Sequence, residues 1–291
     1  MVHIISFEDS FYHPLFPDLE ELVRFPDGEL KHNGIPASTI WVFPEDHRFH
    51  SGIHGADIGC GMAAFFMEEV QPKAAADVLY AFLRKSNLIG RGNHFVDICS
   101  SFDQESPYPH RVLLLHTHGQ NRAIPQNWLE AVQFQQRATA ERIDIGERLT
   151  TELGVKAHFF ADWPHNTVEI ADGKAVYRKG VVKTKLEELY FLPAHLGAKI
   201  LVYTSNPKNP PPYDSMPHAT GRVGPRGSTK VTSKQAAELR ALTYIPAGIS
   251  NQSLRTEHPS CYNSFDKIFR KLGPHMLTMG EAKILSYVGK L

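Results

Sequence analysis

Strand-length apolar runs broken by turn residues fill much of this chain, and that punctuation excludes an all-helical fold. The runs HIISF from residue 3, STIWVF from 38, MAAFFMEEV from 62, HFVDICSSF from 94 and RVLLLHTH from 111 each read as a buried or half-buried strand. Residues 165 to 182, HNTVEIADGKAVYRKGVV, alternate around Asp172-Gly173, the turn pair a two-residue hairpin prefers. A strand-rich stretch from 187 to 204 leads into SNPKNPPPYD, whose restricted backbone and missing amides put it on the surface or over a cleft.

Helix is confined to fewer places. QPKAAADVLYAFLRKS has Pro72 in its first turn and good helix formers after it. The longest helical stretch runs from Pro125 to Gly154, and Gly146 inside it is expected to bend or break the helix. Thr232 and Gln235 form a capping-box pattern that opens the helix SKQAAELRAL. The tail from Asn263 carries a further amphipathic helix and a last apolar segment, and a short acidic helix is expected around PDLEELVRF, residues 17 to 25. No internal repeat, low-complexity tract or linker divides the sequence, so residues 1–291 read as a single α+β domain.

Composition narrows the chemistry. Lysine plus arginine equals aspartate plus glutamate at 31 each, so net charge does not announce a nucleic-acid binder, although a local basic cleft is compatible with it. Three cysteines in unrelated contexts argue against a disulfide framework and for a reducing compartment. No apolar run approaches the roughly 18 residues that cross a bilayer, and the first residues lack the basic-then-apolar pattern of a secretory signal. A cytoplasmic protein with no membrane partner is the expectation. The 16 histidines are about twice the usual share, and imidazole is the commonest transition-metal ligand.

Where those histidines fall matters. In HGADIGCGM, residues 54 to 62, Asp57 and Cys60 can meet one metal ion if the backbone turns sharply, which Gly59 and Gly61 permit; alone, the stretch reads by default as a buried structural cysteine in a Gly-rich turn. His94, His116 and His165 stand at the ends of predicted strands, where a sheet can aim side chains into one cleft. A thiolate, a carboxylate and three imidazoles suit manganese, zinc or iron better than magnesium or calcium, and suffice for two ions sharing a bridging ligand. Further on, His218 sits in the Gly-rich segment SMPHATGRVGPRGSTK with Arg222, Arg226 and Lys230 at intervals of four. Basic side chains and open amides there suit phosphate, and a neutral imidazole facing a nucleoside triphosphate is a nucleophile.

The ordered series DIGCGM, GNHF, LLLH, HN, YRKG, LPAHLG, HATGR, EHPSCY and the final Lys290 resembles the RtcB family of RNA ligases. The resemblance spans residues 54–291 and leaves 1–53 as a divergent N-terminal part. It implies an α+β fold with mixed or antiparallel sheets around a central metal-binding cleft, flanked by helices. It implies that Asp57, Cys60, His94, His116 and His165 hold two Mn²⁺ ions with Cys60 touching both, and that His218 takes GMP from GTP. Asn93, Asn166 and Arg222 would contact phosphate, and Asp97, Tyr262 and Lys290 would hold the guanine. The implied reaction opens a 2′,3′-cyclic phosphate where there is one, transfers GMP to the RNA 3′-phosphate, and joins that end to a 5′-hydroxyl, in splicing or repair. GTP, RNA ends and an archease-like activating protein are the implied partners. Asp97 replaces a glutamate of the family pattern, His195 a serine and Ala219 a glycine, and the family's Pro-Asp-x-His segment is not recognisable in VFPEDHRFHSGIHG, where Glu45, Asp46 and His47 are the residues that could stand in for it. Two other readings of the same residues are a dinuclear phosphoesterase that opens cyclic phosphates, and a non-catalytic RNA-end binder.

Overall fold

The computed structural model describes residues 2–7, 16–28, 35–86, 88–90, 92, 94–102, 110–119, 123–226 and 228–291. Its elements begin with strands β1 (His3–Ser6), β2 (Glu21–Arg24), β3 (Thr39–Pro44) and β4 (Gly61–Glu68). Helix α1 (Pro72–Ser86), strands β5 (Phe95–Ser100) and β6 (His110–Thr117), and the long helix α2 (Trp128–Glu152) follow. Next come β7 (Ala157–Pro164), β8 (Asn166–Ala171), β9 (Lys174–Lys179), β10 (Val181–Lys183), β11 (Tyr190–Leu192), β12 (Lys199–Ser205) and β13 (Ser215–Pro217). Short helices α3 (Ser233–Ala236), α4 (Leu239–Leu242), α5 (Asn251–Leu254) and α6 (Phe265–Leu272) precede the last strand, β14 (Met276–Gly289). The expected α+β class holds.

Two large sheets organise these pieces. One has the order β1-β2-β3-β9-β8 and the other β11-β12-β14-β5-β6-β4-β7. Only β1 with β2 pairs in parallel among the named strands; the other pairings are antiparallel. Side-chain alternation shows how they stack. Val23, Ile40, Val42 and Val176 of the five-stranded sheet share a core with Met62, Ala64, Val112 and Leu114 of the seven-stranded one, so this core lies between the sheets. The alternate residues Ala63, Phe65, Leu113 and Leu115 face Leu79, Leu83, Ile145 and Leu149 of α1 and α2. Leu22, Trp41, Phe43 and Tyr177 cover the other side of the five-stranded sheet, with Ala131 of α2.

That layering corrects three expectations. PDLEELVRF contributes β2 and not a helix, because Leu22 and Val23 are fully buried in different cores and only a period of two sends neighbours to opposite faces. Gly146 does not interrupt α2. A Cβ there would overlap the Phe65 ring, so the glycine lets the helix lie close on β4. SKQAAELRAL splits into α3 and α4, although the Thr232–Gln235 capping box forms as expected. The hairpin turn of β8 and β9 has φ of 52° at Asp172 and 71° at Gly173, as a primed turn requires. No helix among the described residues is long and apolar enough to cross a membrane.

Candidate metal centre and adjoining cavity

Three neighbouring strands bring Cys60, His116 and His165 together. In the antiparallel register Gly61 of β4 lies opposite Thr117 of β6 on one side and Pro164 of β7 on the other. Cys60 immediately precedes that row, His116 is one residue inside it and His165 one residue beyond it, so three distant parts of the chain arrive together. Backbone bonds tie the row: His165 N–H donates to the Cys60 carbonyl at 2.9 Å, and Gly59 N–H to the Asn166 carbonyl at 2.7 Å. Gly59 supplies the expected turn with φ of +83°.

Two groups of donor atoms result. Cys60, His116 and His165 form one; Asp57, Cys60 and His94 form the other; within each group every donor lies within 4.8 Å of the others. Cys60 belongs to both. Its Sγ is 3.5 Å from His116 Nε2 and 4.0 Å from His94 Nε2, and the thiol donates to the Thr117 carbonyl at 3.2 Å. The rings of His94 and His165 each lie 5.1 Å from that of His116. All but Asp57 are buried.

Burial pushes the Cys60 thiol well up from its ordinary value, and the Asp57 carboxylate pushes the same way. Burial holds the His165 imidazole well below its ordinary value, with His218 and His116 adding to the effect. Neutral imidazoles are what a cation binds, and a cation replaces the thiol proton. His165 Nδ1 is buried with no hydrogen-bond partner among the described residues, an orphan that fits a metal site. The donor set therefore fits borderline divalent ions.

Asn166 occupies a supporting position. Its amide donates to Asp57 Oδ2 at 3.0 Å and to the Asp57 carbonyl at 3.1 Å, and its oxygen accepts from Gly180 N–H at 2.9 Å. Both amide hydrogens are thus committed to aiming Asp57. Asn93 lies outside the described residues. Glu45 and Asp46 are exposed, while His47 stacks on Phe43 and bonds the Tyr177 hydroxyl, in an aromatic cluster under the five-stranded sheet.

His218 follows β13, and its ring stacks on that of His165 with 4.0 Å between centroids. Its Nδ1 is 2.8 Å from the Gly180 carbonyl. A carbonyl only accepts, so Nδ1 carries the proton and Nε2 the lone pair.

Beside this histidine opens a cavity of about 360 Å³, lined among others by Asp97, His195, Ala219, Arg222, Arg226, Glu257 and Tyr262. Arg222 lies over the Tyr262 ring at 4.6 Å, and its guanidinium donates to the Thr256 carbonyl. Lys230 is exposed. Tyr262 OH donates to Glu257 Oε2 at 2.5 Å, and Lys290 Nζ is 2.7 Å from Glu257 Oε1. Lys290 therefore acts on the cavity through Glu257. Burial raises the Glu257 carboxyl, but Lys290 and the Tyr262 hydroxyl outweigh it and the net shift is downward. Asp97 has no such partner: burial pushes its carboxyl well up, Glu257 adds to this, and its Oδ1 has no hydrogen bond among the described residues.

Sequence reasoning missed Glu257, although it stands in the quoted EHPSCY, because a lone glutamate carries no motif. It also missed Arg142, which occupies an apolar-face position of α2 between Ala138 and Ile145; a charge at such a position is a signal of burial with partners. Comparison with protein-family models gives no match, and no curated protein is significantly similar in sequence.

Proposed function

We propose that this protein is an RNA ligase of the RtcB type, which uses GTP and two manganese-class ions to join a 3′-phosphate or 2′,3′-cyclic phosphate end to a 5′-hydroxyl. The single observation that carries the reading is a cysteine shared by two metal-ligand groups beside a histidine that lines a nucleotide-sized cavity and has its Nδ1 tied to a carbonyl. Asp57, Cys60 and His94 would hold one ion, and Cys60, His116 and His165 the other. Divalent ions there supply charge neutralisation and in-line positioning of phosphate, the main demands of phosphoryl transfer.

The chain's own groups do the rest. Gly180 fixes the His218 tautomer, so Nε2 attacks the α-phosphorus of GTP; an N–P bond forms and pyrophosphate leaves. The His218 ring stacks on that of His165, which would hold one of the ions, so the nucleophile stands beside the site that would neutralise the phosphates. Arg222 and Arg226 suit the phosphates, and Asp97, Glu257 and Tyr262 offer polar atoms to a base edge. GMP then passes to the RNA 3′-phosphate, and the 5′-hydroxyl displaces it.

Intact-protein mass after incubation with GTP and Mn²⁺ tests this reading. Wild type is expected to gain the mass of one GMP residue, and His218→Ala is expected to bind metal without gaining it. An adduct retained by His218→Ala refutes the nucleophile. Metal bound with no adduct in wild type refutes ligation through histidine and leaves a dinuclear phosphoesterase, assayed by opening of cyclic-phosphate ends.

A further inference from the structure

Behind the metal ligands, and contacting none of them by its own hydrogen bonds, lies a fully buried arginine on α2. All five N–H donors of Arg142 are used. Nε and Nη2 fork onto Asp162 at 2.5 and 3.0 Å, Nη1 donates to the Gly59 carbonyl at 3.0 Å and to Thr117 Oγ1 at 3.3 Å, and Nη2 also reaches Thr139 Oγ1 at 3.4 Å. Thr139 in turn donates to Asp162 Oδ2 at 2.8 Å.

The places these bonds end are informative. Gly59 precedes Cys60, Thr117 follows His116, and Asp162 stands on β7, the strand that runs into His165. One planar guanidinium therefore grips all three chain segments that carry the Cys60–His116–His165 group. Gly61 makes the approach possible, since a Cβ there would lie 2.6 Å from Nη2 and 2.7 Å from Cζ. This gives Gly61 a role other than the turn expected of it. Asp57 and His94 are held by different means: Asp57 accepts from Asn166 and from Gly119 N–H, and His94 leads into β5.

We propose that Arg142 is the positioning residue of the Cys60–His116–His165 site, setting the separation of its three ligands and so governing that ion directly, while it reaches the Asp57–Cys60–His94 ion through the shared Cys60 alone. The proposal rests on the two-ion reading given above. Arginine suits the task because its rigid fork meets three segments at fixed angles, whereas lysine offers a point charge on a flexible stem. Loss of a partner that orients metal ligands typically lowers metal affinity about 10- to 100-fold.

The test is titration of the metal-free full chain with Co²⁺, followed by calorimetry for stoichiometry and by thiolate-to-cobalt and ligand-field absorption for the environment. Wild type is expected to bind two ions. Arg142→Lys is expected to weaken the Cys60–His116–His165 site about 10- to 100-fold and the other site, touched through Cys60 alone, distinctly less. Asn166→Ala is expected to reverse that order and weaken chiefly the Asp57–Cys60–His94 site. If Arg142→Lys fails to fold, Thr117→Val removes a single hydroxyl acceptor and is expected to weaken the Cys60–His116–His165 site to a lesser degree. Two sites of unchanged affinity in the folded variant overturn the proposal, as does equal weakening of both. A wild type that binds no Co²⁺ overturns the two-ion reading, and this proposal falls with it.

Discussion

Replacing Lys290 with methionine should expose how the cavity keeps a charged glutamate out of water. The Glu257 and Lys290 side chains are each only 9% exposed and meet at 2.7 Å. Removing one partner of a buried pair costs about 3–5 kcal/mol, since the remaining charge stays desolvated. The lower end applies, because Glu257 also accepts from Tyr262 OH at 2.5 Å and from Thr256 Oγ1 at 2.9 Å. With an unfolding entropy of about 2.1 cal/mol/K per residue, a 291-residue chain should lose about 5 °C in Tm. In wild type the Glu257 carboxyl is shifted down, so its contribution to stability is present above the ordinary carboxylate value and is lost as pH falls through the lowered one. In Lys290→Met, burial and the adjacent Asp97 reverse the shift. The deficit should therefore be largest near about pH 8 and shrink toward about pH 5 as Glu257 takes up a proton. Thermal melts followed by near-UV circular dichroism across that range measure both effects, and adding Glu257→Gln should restore more than half the loss. A deficit that grows on acidification, or a double variant less stable than the single one, would show that Glu257 is not left as a desolvated charge.

Cys60→Ala should abolish binding of both ions where His116→Ala weakens one, because only the cysteine belongs to both donor groups; elemental analysis after gel filtration distinguishes the two outcomes. Gly146→Ala should lower stability by about 1–2 kcal/mol in urea titration, since roughly 1 kcal/mol of helix propensity is outweighed by overlap with the buried Phe65 ring. His54 donates from Nε2 to the Arg178 carbonyl at 2.6 Å, and burial lowers its pKa to about 3. Below its ordinary value the unfolded chain binds a proton that the folded chain refuses, so stability should fall by about 1.4 kcal/mol per pH unit between about pH 6 and pH 3. His54→Gln should flatten that slope by one proton in denaturation midpoints measured against pH.

The strands of this fold were legible because their burial has a period of two, and the hairpin because Asp172-Gly173 accepts the left-handed backbone it needs. The helix expected over residues 17–25 fails for a reason outside the segment: the run's leucines and valine fit either period locally, and only the presence of a core on each side decides. Gly146 fails similarly, since its neighbour Phe65 comes from another element. At the site, donor types and their positions at strand ends were legible, and so was the convergence of Asp57, Cys60, His94, His116 and His165. The supporting layer was not. Asn166 bears on Asp57 because Gly180 and the Gly59 turn hold it there, and Arg142 bears on three strands at once. Such partners are set by register across a sheet, which no single stretch of sequence contains.

Charge gives a further reason to favour phosphate at this site over a neutral substrate. On the two-ion reading, the ionic ligands among the described residues are the Asp57 carboxylate and the Cys60 thiolate, since the three imidazoles bind neutral. Two divalent cations are thus undercompensated, whereas a carboxylate-rich dinuclear site is nearly neutral. Lys179, which donates to the Ile53 carbonyl and acts electrostatically on both Asp57 and Cys60, deepens the excess, and Arg222 and Arg226 extend it along the cavity wall. Anionic groups bound between the ions and these arginines complete the compensation, so polyphosphate and metal should each strengthen the binding of the other. Asp97 and Glu257 line the same cavity, and Arg226 lies near enough to Glu257 to act on it, so the wall offers acceptors beside its cations. A ligand that carries both phosphates and N–H groups suits a wall of that mixed character.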